Sequence, residues 1–167
     1  FDRMQGWIRA RHPGTVTYSF PIAEKAGSVM NMWRQGRQLM EGLRARVAAQ
    51  PAAYADGYAL VCHSQGALLC RTAVELMDDH RVHTLIALAG PQSGEYGIPD
   101  GWQEMLPWAR DEVYHFAYTA ALQDHLSVAN YWHDPRPAAG AFRPASDYWG
   151  GNSFLPVLNN DPQRRTD

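Results

Sequence analysis

The stretch Y-A-L-V-C-H-S-Q-G-A-L-L-C-R, from Tyr58 to Arg71, decides the fold of this chain. Its first part, Tyr58 to His63, is a compact apolar run of the length of a strand, and Ala67 to Met77 is apolar and long enough for a buried helix. Only Ser-Gln-Gly separates them. A strand, a sharp turn with a serine and a helix form the context that a nucleophile elbow requires, so we predict that Ser64 is a nucleophile.

The sequence on either side of this unit continues the alternation of helices and strands. We predict an opening helix that ends near His12-Pro13-Gly14 and a short strand over Thr15 to Phe20, because proline and glycine oppose a helix and β-branched and aromatic residues favour a strand. An amphipathic helix from Ser28 to Pro51 follows. Its predicted apolar face consists of Met30, Trp33, Met40, Leu43 and Val47. Val82 to Ala89 is nearly all apolar, as expected of a parallel strand covered on both faces.

The alternation predicts an α/β fold built on a parallel sheet, in a single domain that spans residues 1–167. After Gly90 the chain becomes rich in glycine and proline, and Trp102 to Tyr131 carries helix-like patches dense in aromatic residues. We interpret about residues 100–150 as an inserted helical cap. Beyond it, only Asn152 to Leu158 suggests an ordered segment.

Composition excludes several classes of function. The formal net charge is −2, which does not provide the basic patch that binding to nucleic acid requires. The apolar runs are far shorter than the roughly 20 residues that cross a bilayer, so we predict no transmembrane segment. Two cysteines are too few for a disulfide framework and form no C-x-x-C pair, and they leave the redox compartment undecided. We expect no cofactor and no metal, because His80 and His83 lie where a solvated helix end is expected.

The residues around Ser64 suggest how it would act. The backbone N–H of Gln65, at the start of the following helix, would point at a substrate carbonyl oxygen and form half of an oxyanion hole. Gly66 and Ala67 are small, as the elbow needs, whereas Cys62 stands where glycine is usual. Two other interpretations exist: Ser-Gln-Gly as an ordinary turn, and Cys62 with His63 as a thiolate–imidazole pair. The second is disfavoured because neighbouring strand residues point to opposite faces.

Several motifs together resemble the palmitoyl-protein thioesterase family of the α/β-hydrolase superfamily. C-H-S-Q-G-A-L-L-C-R looks like that family's nucleophile segment, and residues 89–99 are similar to its G-G-x-x-x-G-x-x-G-x-P loop. Residues 129–135 resemble its Y-W-x-D-P motif, and residues 152–160 its N-x-S-x-F-L-x-x-I-N segment. The order and the spacing match as well, so the resemblance runs from about Met4 to the end.

The resemblance implies a serine hydrolase that cleaves long-chain fatty acyl thioesters of S-acylated cysteine through an acyl-enzyme on Ser64. S-palmitoylated proteins or peptides and fatty acyl thioesters would be its substrates. The aromatic residues of the predicted cap, Trp102 and Trp108 among them, could line an acyl-chain groove, although ordinary cap packing explains them equally well. The family is lysosomal or secreted, but the chain carries neither a signal peptide nor an N-x-S/T acceptor.

The resemblance also places three parts of the machinery outside this chain. The triad acid and histidine lie beyond the segment that matches residues 152–160, and the H-G-M-G-D segment with the second oxyanion donor precedes the segment that matches residues 1–8. We therefore expect a chain truncated at both ends and nearly inert by itself. His115, His125 and His133 are poor substitutes for the base, because they fall in the predicted cap or in the Y-W-H-D-P motif. Two alternatives remain: a lipase or carboxylesterase of the same fold, and a non-catalytic hydrolase-like binding protein.

Overall fold

A computed structural model describes residues 1–22, 25–97, 116–135 and 148–163. Its longer elements are two successive helices followed by strand, helix and strand: α1 (Asp2–Arg11), α2 (Met32–Ala49), β1 (Tyr58–His63), α3 (Gln65–Leu76) and β2 (Val82–Leu88). Four short helices follow: α4 (Ala120–His125), α5 (Ser127–Asn130), α6 (Tyr148–Gly151) and α7 (Leu155–Leu158). Two 3₁₀ turns, Lys25–Val29 and Pro51–Tyr54, flank α2. The predicted order of helix, strand, helix and strand is confirmed from α2 to β2.

The described strands form a two-stranded parallel sheet in which Leu60 is opposite Leu85 and His63 opposite Leu88. Parallel strands need a crossover connection, and α3 supplies it. The prediction that β2 is covered on both faces is wrong for the described residues, because Ile86 is 42% and Leu88 38% exposed. In this part of the chain only β1 and α3 make extensive contact with β2, which leaves the rest of its surface uncovered.

The buried face of helix α2 is rotated from the predicted one and shares Leu43 with it. Asn31 caps the helix by accepting a hydrogen bond from the backbone N–H of Arg34. The buried apolar positions are Met32, Leu39 and Leu43, whereas the predicted Met30, Trp33, Met40 and Val47 are only half-buried. Gly36 explains the rotation, since a Cβ there would lie 2.9 Å from Cγ2 of Thr72 on α3. The two helices meet at this glycine.

The predicted strand over Thr15 to Phe20 does not form. In the described residues it has no strand to pair with, and side chains hold the segment instead. Thr17 bonds to Arg9 and Gln5 of α1. Tyr18 packs edge-on against Phe20, which in turn lies against Gly42 of α2. The β-branched and aromatic composition therefore reflects packing against helices rather than a sheet.

The buried residue Gln123 connects α4 and the segment at Ser153 to the start of α2 through hydrogen bonds. The Gln123 side chain is 2% exposed, and its amide nitrogen donates to the carbonyls of Ala117 and Ala129 at 2.7 Å each. Its amide oxygen accepts from the backbone N–H of Ser153, and its carbonyl accepts from the Asn31 side chain. Buried polar groups have to be satisfied in this way, so the network fixes α4 in place.

Most of the predicted cap, residues 98–115 and 136–147, lies outside the described residues. Single-domain organisation and the cap therefore remain predictions. None of the helices in the described ranges is both long and apolar enough to cross a bilayer.

Candidate active site

Ser64 occupies the turn between β1 and α3 in a strained conformation. Its φ is 54° and its ψ is −131°, and its side chain is exposed. A residue other than glycine in such a region costs on the order of 1–3 kcal/mol and persists only where its surroundings enforce it. The Ser64 N–H donates to the Leu88 carbonyl at 2.8 Å, and the Ser64 carbonyl accepts from the Ala67 N–H at 2.9 Å. This is the geometry of a nucleophile elbow.

A disulfide joins Cys62 at the end of β1 to Cys70 on α3, with 6.5 Å between the two Cα atoms. The expectation drawn from the low cysteine count is therefore corrected: two cysteines form no framework, but these two are bonded across the turn. Sequence alone gave no sign of this pairing, because eight positions of separation become a short distance only when the chain reverses at Ser64. Cys62 is buried while its neighbour His63 is exposed, which rules out a thiolate–imidazole pair.

The tight contact beside the elbow lies at Ala67 rather than at Gly66. A Cβ on Gly66 would meet no described atom within 4 Å. Ala67 is fully buried, and a Cβ on Gly90 would lie 2.6 Å from the Ala67 Cβ. The loop after β2 thus approaches α3 closely, and both residues must be small for that reason.

Gln65 is the first residue of α3, so its backbone N–H has no carbonyl one turn earlier in the helix. Its side chain turns away from the elbow. The amide nitrogen donates to the Ser28 carbonyl at 2.8 Å and to the Gln35 side chain at 3.0 Å. The amide oxygen accepts from the Tyr131 hydroxyl at 3.2 Å. Neither Gln35 nor Tyr131 was predicted to support the elbow: the only advance signal for Gln35 is a polar residue within an apolar pattern, whereas Tyr131 lies in the Y-W-H-D-P motif.

Burial dominates the electrostatics around this glutamine. Tyr131 is 4% exposed, and desolvation raises the pKa of its phenol, with a further contribution from the negative charge of Glu95. A hydrogen bond with Ser127 opposes the rise in pKa. Burial also raises the pKa of the Glu95 carboxyl. The Tyr131 hydroxyl is thus a neutral hydrogen-bond donor.

The histidines of the described residues do not complete a triad. His133 stacks on Tyr148 with 3.8 Å between ring centroids, and its Nδ1 lies 2.7 Å from the Ser93 carbonyl oxygen. His125 is exposed at the end of α4, and His115 lies outside the described ranges. Across the part of the chain that the structure covers, no hydrogen bond to the Ser64 hydroxyl is found. The positions of His125 and His133 agree with the prediction that they are poor substitutes for the base, and for His115 it stays a prediction.

Arg71 connects two of the motifs that the sequence analysis singled out. Its guanidinium donates to the Asn159 side chain at 2.6 Å and to the Leu158 carbonyl at 3.0 Å. The Asn159 amide in turn donates to the Gln92 carbonyl at 3.1 Å. The arginine of the nucleophile segment therefore binds the 152–160 segment and, through it, the loop after β2.

Gly94 brings two further motifs together. Its φ is +91°, and a Cβ there would overlap the Cβ of His133 and approach Cδ2 of Leu155. The Glu95 N–H donates to the Tyr131 carbonyl, and the His133 N–H donates to the Glu95 carbonyl. The motifs at residues 89–99, 129–135 and 152–160, which are separate in sequence, are therefore in contact with one another. Trp102 and Trp108 lie outside the described residues, so their place in an acyl-chain groove stays a prediction.

A serine with positive φ between a parallel strand and a helix is the mark of the α/β-hydrolase class of enzymes. Residues 1–167 match the model of the palmitoyl protein thioesterase family, and the chain belongs to that family. Membership implies the α/β-hydrolase fold, of which the described residues contain a small parallel sheet. The resemblance derived from the motifs is confirmed.

The chain is similar to several curated proteins over almost its whole length. It is 33% identical over 162 residues to human lysosomal thioesterase PPT2. The match covers 96% of this chain and 50% of the human protein. It is 31% identical over 154 residues to the Drosophila melanogaster PPT2 homolog, covering 92% of this chain and 49% of the relative. The chain is also 31% identical over 162 residues to palmitoyl-protein thioesterase 3 of Dictyostelium discoideum. That match covers 97% of this chain and 52% of the relative. The chain spans about half the length of these relatives.

Proposed function

We propose that this chain carries the nucleophile of a serine hydrolase that cleaves long-chain fatty acyl thioesters from S-acylated cysteine. The observation that carries the proposal is the backbone of Ser64, which is strained, exposed and held at the turn between β1 and α3. A structural serine has no reason to occupy that conformation, because any glycine would adopt it at lower cost. Family membership supports the proposed substrate class.

In the proposed reaction the Ser64 Oγ attacks the thioester carbonyl carbon and loses its proton to a base. The negative charge that develops on the carbonyl oxygen would be stabilised by the Gln65 backbone N–H and the N-terminal end of α3. The carbon–sulfur bond then breaks, and the cysteine sulfur leaves with the proton as a thiol. Water attacks the acyl-enzyme, which releases the fatty acid and restores Ser64.

The base and its acid are proposed to come from the part of the relatives that this chain does not cover. In α/β-hydrolases they follow the serine in the order acid, then histidine. Trp102 and Trp108 are proposed to line the acyl-chain groove. Each methylene that such a groove buries would favour binding by about 0.8 kcal/mol, which suits a long-chain substrate.

S-palmitoylated proteins or peptides in the lysosome are the proposed substrates. The relatives from human, rat and cow are named lysosomal thioesterases. The Cys62–Cys70 disulfide supports a route through an oxidising compartment, because disulfides persist there and are rare in the cytosol. Secretion, the other location that the resemblance implies, stays a prediction.

The test is labelling and turnover by the complete protein that carries this chain. A fluorophosphonate probe should label the wild type and Ser19→Ala, an exposed-serine control, but not Ser64→Ala. The same Ser64→Ala change should abolish hydrolysis of a palmitoyl thioester. Faster hydrolysis of the matched oxygen ester would favour a lipase or carboxylesterase. A folded protein that neither labels nor turns over either ester, yet binds palmitoyl peptide, would favour the non-catalytic alternative.

A further inference from the structure

The side chain of Gln65 is anchored on two sides. Its amide nitrogen uses both of its hydrogens, one on the Ser28 carbonyl at 2.8 Å and one on the Gln35 amide oxygen at 3.0 Å. Its amide oxygen accepts from Tyr131 at 3.2 Å. The residue directly after the elbow is therefore tied both to the segment before β1 and to the segment after α5.

The partners of Gln65 are themselves fixed. Gln35 is 1% exposed, and its amide nitrogen donates to the carbonyls of Ser28 and Met30. The Ser127 hydroxyl, which is fully buried, donates to the same Ser28 carbonyl at 2.8 Å. Three donors thus converge on one carbonyl oxygen. A buried network in which every member is satisfied is rigid, because breaking one bond leaves polar groups unpaired.

This rigidity matters for the proposed reaction, on which the inference rests. An oxyanion donor works only when it lies about 2.7–3.1 Å from the place where the charge develops. A catalytic group needs to be held within about 0.5 Å of its productive position. The Gln65 N–H belongs to the first turn of a helix, where no carbonyl of the helix restrains it. Restraint can come from the side chain of the same residue.

We propose that Gln35 and Tyr131 are positioning residues, which act through the Gln65 side chain to hold the Gln65 backbone N–H in place for acyl transfer. Both residues are buried, so neither is proposed to contact the substrate. Their loss should therefore lower the rate of the chemical step and leave substrate binding nearly unchanged. A residue that served stability alone would not separate the two quantities in this way.

The first test compares Tyr131→Phe with Tyr54→Phe in the complete protein, with a palmitoyl thioester as substrate. Both changes remove one hydroxyl that is bonded within the protein, and Tyr54 accepts from Arg46 at 3.0 Å away from the elbow. Removing an oxyanion donor outright costs about 10²–10³ in kcat, so misplacing one should cost roughly 5–20-fold. We expect this loss for Tyr131→Phe, with KM unchanged, and none for Tyr54→Phe.

A second test uses Gln65→Met against Gln5→Met, which removes a half-buried amide on α1 that bonds to Thr17. Gln65→Met should lower kcat, and adding Tyr131→Phe to it should cost little more, because the hydroxyl has already lost its acceptor. If Tyr131→Phe does not fold, the comparison of kcat between Gln65→Met and Gln5→Met tests the proposal by itself. Equal kcat for the two variants of either pair, or a change in KM in place of kcat, would overturn the proposal.

The two proposals can fail separately. If Ser64→Ala retains turnover, the proposed function fails and the positioning role fails with it. If Ser64→Ala is inactive while folded Tyr131→Phe and Gln65→Met both keep the wild-type kcat, only the positioning role fails.

Discussion

Cys62 and Cys70 are bonded across Ser64, so that a covalent link spans the strained turn between β1 and α3. One cysteine lies two residues before the serine and the other six residues after it. The link holds the end of β1 close to α3 on both sides of the strained serine. The disulfide connects the elbow to α3, and the Ser64–Leu88 hydrogen bond connects it to β2.

The double variant Cys62→Ala/Cys70→Ala should lower the free energy of unfolding by about 2–3 kcal/mol, because the closed loop is short and its closure entropy is limited. Urea unfolding of the complete protein measures the loss. Wild type incubated with reductant serves as the chemical control and should fall in stability by a similar amount. Two titratable thiols in unfolded, unreduced wild type would contradict the bond itself.

Gly90→Ala should destabilise the protein by about 1–3 kcal/mol, because its new Cβ would overlap the Ala67 Cβ on α3. Gly66→Ala is the matched control and should be neutral or slightly stabilising, since alanine favours a helix and meets no described atom there. Thermal unfolding of both variants measures the difference. A larger loss for Gly66→Ala than for Gly90→Ala would contradict the close approach.

Arg71→Met should cost about 2 kcal/mol, because it keeps the aliphatic part of the side chain but removes the charged hydrogen bonds to Asn159 and Leu158. Arg44→Met, which breaks an exposed ion pair with Asp79, should have a much smaller effect. Denaturant titration of the two variants gives the comparison. Equal losses would show that the Arg71 contacts contribute no more than a surface pair.

Glu95 should make stability depend on pH in a known direction. Burial raises the pKa of the Glu95 carboxyl in the folded state above its value of about 4.3 in the unfolded chain. The contribution of Glu95 to the free energy of unfolding is therefore fully present below the unfolded pKa of about 4.3 and is lost as pH rises through the folded pKa. Glu95→Gln should therefore gain stability relative to wild type over the pH window that begins at about 4.3 and extends through the raised folded pKa.

Unfolding free energies at several pH values within this window measure the effect. Glu41→Gln, which removes an exposed carboxylate on α2, is the matched control. A difference between Glu95→Gln and wild type that stays constant with pH would contradict the buried carboxyl.

Local pattern was enough to place the elements around the elbow. The apolar run before Ser64 and the apolar run after it became β1 and α3 with little change in bounds, because each run has one strong local preference and β2 supplies the neighbouring strand that β1 needs. The same reasoning failed for residues 15–20, where strand formation needs a neighbouring strand. It succeeded only in part for the face of α2: Leu43 is buried as predicted, but the approach of Gly36 to Thr72 rotates the rest of the buried face.

The sequence by itself determined the order of strand, serine turn and helix, the candidate nucleophile and the family, since all of these reside in contiguous residues. Only the tertiary structure decided which distant groups surround the elbow: the Cys62–Cys70 bond, the close approach of Gly90 to Ala67, and the contacts of Gln65 with Gln35 and Tyr131. Gln65 and Tyr131, for example, are 66 positions apart in the sequence and share a hydrogen bond. Contacts between such distant residues depend on how the helices pack around the sheet, and local sequence preferences do not encode that packing.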